Sequence, residues 1–135
     1  YFHVLNDVER IGDHAENFHE IGVEMTEKGL IFSDAAKEEI TQMREDMLQM
    51  FTLATKAFTD LDKECLSSLA ALENRVDGLK KTLTANHFVR LAEGKCRVEL
   101  SPYFSSTVTR LERVADHLVN VGYSILNPIG SEKGE

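Results

Sequence analysis

Tryptophan is absent from this chain of 135 residues, which also holds only two prolines and two cysteines. Two cysteines cannot build a disulfide scaffold. Cys65 and Cys96 are also too distant in sequence to offer the closely spaced thiolates of a zinc site. They fit reduced thiols in a reducing compartment. No apolar run approaches the roughly 20 residues that span a bilayer, and no signal peptide is visible. Basic charge is short as well: 15 Lys and Arg stand against 23 Asp and Glu, leaving −8. That balance argues against nucleic acid or an anionic membrane surface as the main partner. The usual marks of catalysis are missing too. There is no glycine-rich phosphate loop, no paired nucleophile and base, and no second Glu-x-x-His to match Glu16 and His19. No enzyme activity is therefore expected. A starting methionine is also lacking, and Tyr1 falls inside an apolar pattern, which reads as a domain cut from a longer protein.

What the chain does have is a stretch written twice. Glu9-Arg10-Ile11-Gly12-Asp13-His14-Ala15-Glu16-Asn17 returns as Glu112-Arg113-Val114-Ala115-Asp116-His117-Leu118-Val119-Asn120. Two unrelated amphipathic helices would share apolar positions, not five polar identities in nine. An internal duplication is the better reading. Within each copy Glu and Asp stand four apart, one above the other on a helix face, where like charges are mildly destabilising unless a cation lies on them.

The rest of the pattern is helical, and strand-like alternation is absent. Val4, Val8, Ile11, Ala15, Phe18, Gly22 and Met25 make a three-four stripe that predicts a first helix with that face inward. Glu9, Asp13, Glu16, Glu20, Glu24 and Glu27 form a second stripe on nearly the opposite side, with almost no lysine among them. Gly29 closes the helix, and Ser33 caps the next. The second helix carries Ala36, Ile40, Met43, Met47, Met50, Phe51, Ala54, Phe58 and Leu61, a methionine-rich stripe read as core rather than as a binding groove. A break at Asp60 or Asp62 leads to a third helix with Leu69, Leu72, Val76, Leu79 and Leu83 inward. Where that stripe should continue stand Asn86, His87 and Arg90, so the helix either leaves the core or gives these residues specific partners. After a loop from Gly94 to Leu100, Ser101-Pro102 starts a fourth helix that is expected to run to about Asn127, where Pro128 and Gly130 stop it. Its core stripe is Phe104, Leu111, Val114, Leu118, Val121 and Ile125. Four long helices with short connections predict an all-α, antiparallel up-and-down bundle. Residues 128–135 read as a flexible polar tail.

The two Glu-Arg-x-x-Asp-His stretches resemble the signature that closes each repeat of PhoU proteins, regulators of bacterial phosphate uptake built from two tandem three-helix, spectrin-repeat-like units. The resemblance implies that residues 1–28 are the last helix of a first repeat and residues 33–127 a complete second repeat. It also implies metal clusters, of iron or zinc, on acidic pairs of the form Glu/Asp-x-x-x-Asp. The pairs that match here are Glu112 and Asp116, Glu73 and Asp77, and Glu9 and Asp13. His87-Phe88-Val89-Arg90-Leu91 followed by Gly94-Lys95-Cys96 is similar to PhoU-like domains at the cytoplasmic C-terminus of sodium–phosphate cotransporters. A free-standing PhoU regulator is the second choice.

Carboxylates suit hard or borderline cations, but one pair supplies too few ligands, so a site needs two helices. Glu73 and Asp77 against Glu112 and Asp116 are the expected convergence. Asn17 and Asn120 lie one turn further along the acidic face and are candidates to complete or orient a site. His14 and His117 directly follow their aspartates, so they point about 100° away and are expected to pack or support rather than ligate. The expected function is a non-catalytic regulatory domain, at the inner face of the cell membrane as part of a membrane protein. Its expected partners are a transporter membrane domain or transport and signalling proteins. A homodimer through the first helix is a further expectation. The competing reading is an interaction bundle without metal.

Overall fold

In the computed structural model, residues 2–126 are described. They form four long helices: α1 (Phe2–Glu27), α2 (Asp34–Asp60), α3 (Cys65–Ala92) and α4 (Ser101–Tyr123). Short 3-10 turns at Val98–Leu100 and Ser124–Leu126 flank α4, and no strand occurs among the described residues. The all-α bundle expected from periodicity is what the chain adopts. The last α-helix ends at Tyr123, short of the expected Asn127, and passes into the 3-10 turn to Leu126; Asn127 and the polar tail lie outside the described residues.

The boundaries follow from local chemistry. Gly29 ends α1 at φ 69°, a left-handed conformation that costs glycine little. Its N–H donates to Thr26 O (3.1 Å) and the Leu30 N–H to Met25 O (2.8 Å), while Leu30 and Met25 pack together beneath the turn. Gly94 ends α3 in the same way, with the Lys95 N–H donating to Arg90 O at 2.9 Å. The Ser33 hydroxyl accepts from the Ala36 N–H at the head of α2. Asp62, rather than Asp60, restarts the chain: its carboxylate accepts from the Glu64 N–H at 2.9 Å.

Helix α4 is the hub, packed against α1, α2 and α3, whereas α1 packs chiefly on α4. Phe104, Met43, Met50, Leu69, Leu83, Val76 and Val108 are the largest fully buried side chains. Burying each removes roughly 1.5–3 kcal/mol of apolar exposure, so the α2–α3–α4 seam dominates the stability. All six positions of the predicted α4 stripe are buried. Gly122 allows the tightest approach, because a Cβ there would meet Leu69 Cδ2 and come within 3.8 Å of Ala54 Cα.

Two predicted stripes are only half right. In α1, Val8 is 54 % exposed and Ala15 and Gly22 also face outward, while Asp7 and His14 turn toward α4 alongside Ile11 and Phe18. In α2, Phe51 and Phe58 are exposed and Asp46 is buried in their stead, held by Arg75 of α3 at 2.6 Å. Arginine reaching across a seam can satisfy a withdrawn carboxylate, so an acidic residue occupies a position that periodicity gives to an apolar one.

Candidate functional site

Helices α3 and α4 lie side by side, and their acids face one another across the seam. Glu73 lies against Asp116 and Asp77 against Glu112, each pair close enough to share a proton. Withdrawal from water raises the Glu73 and Asp77 carboxyls above the ordinary carboxylate range, and the neighbouring acids push them further. Asp116 is raised by the same two causes, partly offset by a hydrogen bond from Glu73 and by the charges of His117 and Lys80. Lys80 Nζ donates to Glu112 Oε1 at 2.9 Å and is the cation that the seam itself supplies. The four acids thus stand as two interlocked pairs. No group of three Asp, Glu, His or Cys side chains among the described residues is arranged to hold a metal ion. The donor chemistry suits a hard cation, whereas the rotamers present pair the oxygens instead of gathering three on one point.

The first copy of the motif is placed differently. Glu9 and Asp13 are exposed on α1, which packs chiefly on α4. The acids of α4 are engaged on the α3 side, so the structure does not bring Glu9 and Asp13 to the other four. Asn17 is half-buried and Asn120 exposed. Neither hydrogen-bonds a carboxylate of the cluster among the described residues.

The histidines are where the two copies meet. His14 and His117 bring their ring centroids to 5.9 Å at the α1–α4 contact, inclined by 31°. His117 Nδ1 lies 2.8 Å from Asp7 Oδ1, and Arg110 Nη1 lies 3.4 Å from His14 Nδ1. Burial lowers the His14 pKa, and the charges of Arg110, His117 and Arg113 lower it further. A neutral imidazole accepting from Arg110 matches that direction. The histidines therefore join α1 to α4.

Asp7 and Arg110 were not among the residues singled out as candidates. Asp7 lies outside the repeated nine residues, and Arg110 stands two residues ahead of the second copy. Asp7 carried one signal: it falls three residues after Val4 and four before Ile11, on the buried stripe. The polar end of α3 also has partners. Asn86 Nδ2 and Arg90 Nη2 both donate to Glu39 of α2, at 2.7 and 2.9 Å, and His87 Nε2 lies 2.9 Å from Ser101 Oγ.

Comparison with known proteins agrees with the motif. The family described as the PhoU domain matches residues 40–125, from within α2 through α3 and α4 into the turn that follows. A Thermotoga maritima protein, the phosphate-specific transport system accessory protein PhoU homolog 1, is 29 % identical over 116 residues, covering 86 % of this chain and 49 % of the relative. The chain thus spans about half the length of the curated relative it matches. No solved structure gives a significant match.

Proposed function

Because the chain belongs to the PhoU domain family, matched from residue 40 to residue 125, we propose that it is a non-catalytic regulatory domain of phosphate uptake, forming the cytoplasmic part of a sodium–phosphate cotransporter. The observation that carries the regulatory reading is the likeness to a relative named as an accessory protein of phosphate-specific transport. The His87-to-Cys96 block supports the cotransporter context. No described helix is long and apolar enough to cross a membrane, so in this reading membrane attachment comes from the parent protein. The domain acts by contact with that membrane domain or with transport and signalling proteins. The exposed apolar residues of α1, Leu5, Val8 and Val23, provide one face for such contact or for a homodimer.

The α3–α4 seam is the proposed metal site, with Glu73, Asp77, Glu112 and Asp116 as its ligands and iron or zinc as the ion. A bound cation would supply the positive charge that four crowded carboxylates need, tying α3 to α4. Binding would ask the paired oxygens to turn toward one point and Lys80 to release Glu112. Glu9 and Asp13 are the proposed ligands of a separate site, to be completed by acids from outside the described bundle.

Two readings remain beside this one. The Thermotoga relative favours a free-standing PhoU regulator equally well. The paired carboxyls, with Lys80 beside them, favour an interaction bundle without metal.

Deleting the domain from its parent tests the regulatory role: phosphate-dependent control of uptake should be lost, and unchanged control would sink the proposal. Elemental analysis of protein purified without chelator tests the metal. Bound iron or zinc should fall when Asp77→Asn and Asp116→Asn are combined, and metal content unaffected by that pair would refute the site. The residues encoded ahead of Tyr1 separate cotransporter from free regulator, because only the former carries several apolar segments of roughly 20 residues.

A further inference from the structure

The block from His87 to Cys96 takes no part in the acidic seam or in the histidine contact. It forms a corner where α3 ends, the Val98–Leu100 turn follows and α4 begins. His87 is 5 % exposed, and its ring stacks on Phe104 with centroids 4.7 Å apart and planes inclined by 14°. With Nε2 held 2.9 Å from Ser101 Oγ, the ring has one orientation, and in it Nδ1 faces Cys96 Sγ at 3.9 Å, while the same sulfur lies 3.5 Å from Arg97 O, the thiol proton's other acceptor. Cys96 is half-buried, within reach of small solutes, whereas Cys65 is buried.

This is a nucleophile, a base and a hydroxyl that orients the base, an arrangement found in activated thiols on unrelated folds. When Nε2 carries the proton and donates it to Ser101, the Nδ1 lone pair is left facing the thiol. Two charged groups face the ring: Arg90 of α3 opposes imidazolium, and Glu39 of α2, paired to Arg90 at 2.9 Å, favours it. Burial and Arg90 prevail, so at neutral pH the ring is an unprotonated imidazole able to take a proton. The corner also holds a donor without an acceptor. Arg90 lies over the Phe104 ring, 5.6 Å from its centroid, and its buried Nε–H has no partner among the described residues.

We propose that Cys96 is a modification site, a reactive thiol that forms a mixed disulfide with a small disulfide, using His87 as its base. Cys96 Sγ attacks one sulfur of the reagent as its proton passes to His87 Nδ1. The reagent's S–S bond breaks and a new Sγ–S bond forms. The departing half leaves as a thiolate and takes the proton from Nδ1, so one thiol is oxidised and half the reagent is reduced. Ser101 positions His87. The adduct would sit at the α3–α4 corner and add bulk and charge there.

Glutathione disulfide is the probe, with intact-mass kinetics and peptide mapping as the readout. A free peptide of residues 93–99 gives the rate of an unassisted Cys96. The folded chain should gain one adduct, at Cys96 before Cys65, roughly tenfold or more faster than the peptide. His87→Gln should return Cys96 to the peptide rate, and Ser101→Ala should fall between the two with an unchanged thermal melt. The pH profile covers the case in which His87→Gln does not fold. The native rate should stay high down toward pH 6.5, whereas the peptide rate should fall steadily as its thiol protonates below a pKa of about 8.5. A Cys96 no faster than the peptide, a folded His87→Gln as fast as the parent, or parallel pH profiles would each overturn the proposal.

Discussion

His117 Nδ1 donates to Asp7 Oδ1 at 2.8 Å, joining α4 to α1 through two side chains that are both largely withdrawn from water. The histidine of the second copy thus finds an acid two residues ahead of the first copy, not an acid of either motif. Asp7 is 7 % exposed, and a carboxylate that dry is tolerable only with a partner.

Removing that partner should loosen the α1–α4 contact. His117→Ala is expected to lower unfolding stability by about 2–4 kcal/mol, because it strands a buried carboxylate. Replacing Asp7 and His117 together by leucine should restore most of that loss. Urea denaturation of the single and double variants reads both effects, and a single variant as stable as the parent would contradict the contact.

Relief of crowding on the acidic seam should stabilise the metal-free chain. The Glu73, Asp77 and Asp116 pKa values are raised in the folded state, so their contribution is fully present below the ordinary carboxylate range and is lost as pH rises through the raised values. At neutral pH the seam is therefore under charge strain. Asp116→Asn should raise the melting temperature in the presence of chelator, and the gain should vanish on acidification. A divalent cation that binds the parent should narrow the difference. Differential scanning calorimetry across pH and cation concentration tests all three.

At the other end of α3 the sign reverses. Burial lowers His87 below its ordinary value of 6.5, so its contribution is complete above that value and is lost as pH falls through the folded pKa. The stability difference between the parent and His87→Gln should therefore change in favour of Gln on acidification below pH 6.5. A pH-independent difference in urea midpoint would show that the ring does not titrate with unfolding.

Glycine substitutions should separate close packing from helix propensity. Gly122→Ala is expected to cost about 1–3 kcal/mol, because its methyl group must displace the fully buried Leu69. Gly12→Ala and Gly78→Ala have nothing within 4 Å of the added carbon and should stabilise by about 0.5–1 kcal/mol. Thermal unfolding of the three variants provides the check.

Much of this bundle could be read along the chain. The glycine closing α1 and the serine heading α2 act within a few residues of themselves, so the sequence displays them directly, and Pro102 marks the start of α4, although the Ser101 hydroxyl turns to His87 instead of capping that helix. The six-residue stripe of α4 was equally legible, because a helix packed on three neighbours must be apolar over most of its inward circumference. The seam of Glu73 and Asp77 against Glu112 and Asp116 was expected from spacing and resemblance together. The exposed positions of Phe51 and Phe58 were not legible, nor was the Cys96–His87–Ser101 corner, whose three members come from two helices and a loop.

By itself, then, the sequence determined the helices, most of their ends and the doubled motif, all of which are set by interactions between near neighbours. Only the tertiary structure decided what the motif residues touch. In α1, Val8 and Ala15 on one stripe and Asp7 and His14 on the next lie about 100° apart, and a period of 3.6 residues cannot say which stripe is covered. The choice belongs to α4, which brings His117 to Asp7 and Arg110 to His14 across about a hundred residues of chain. A carboxylate can be buried when its partner arrives from another helix, and no local pattern records that arrival.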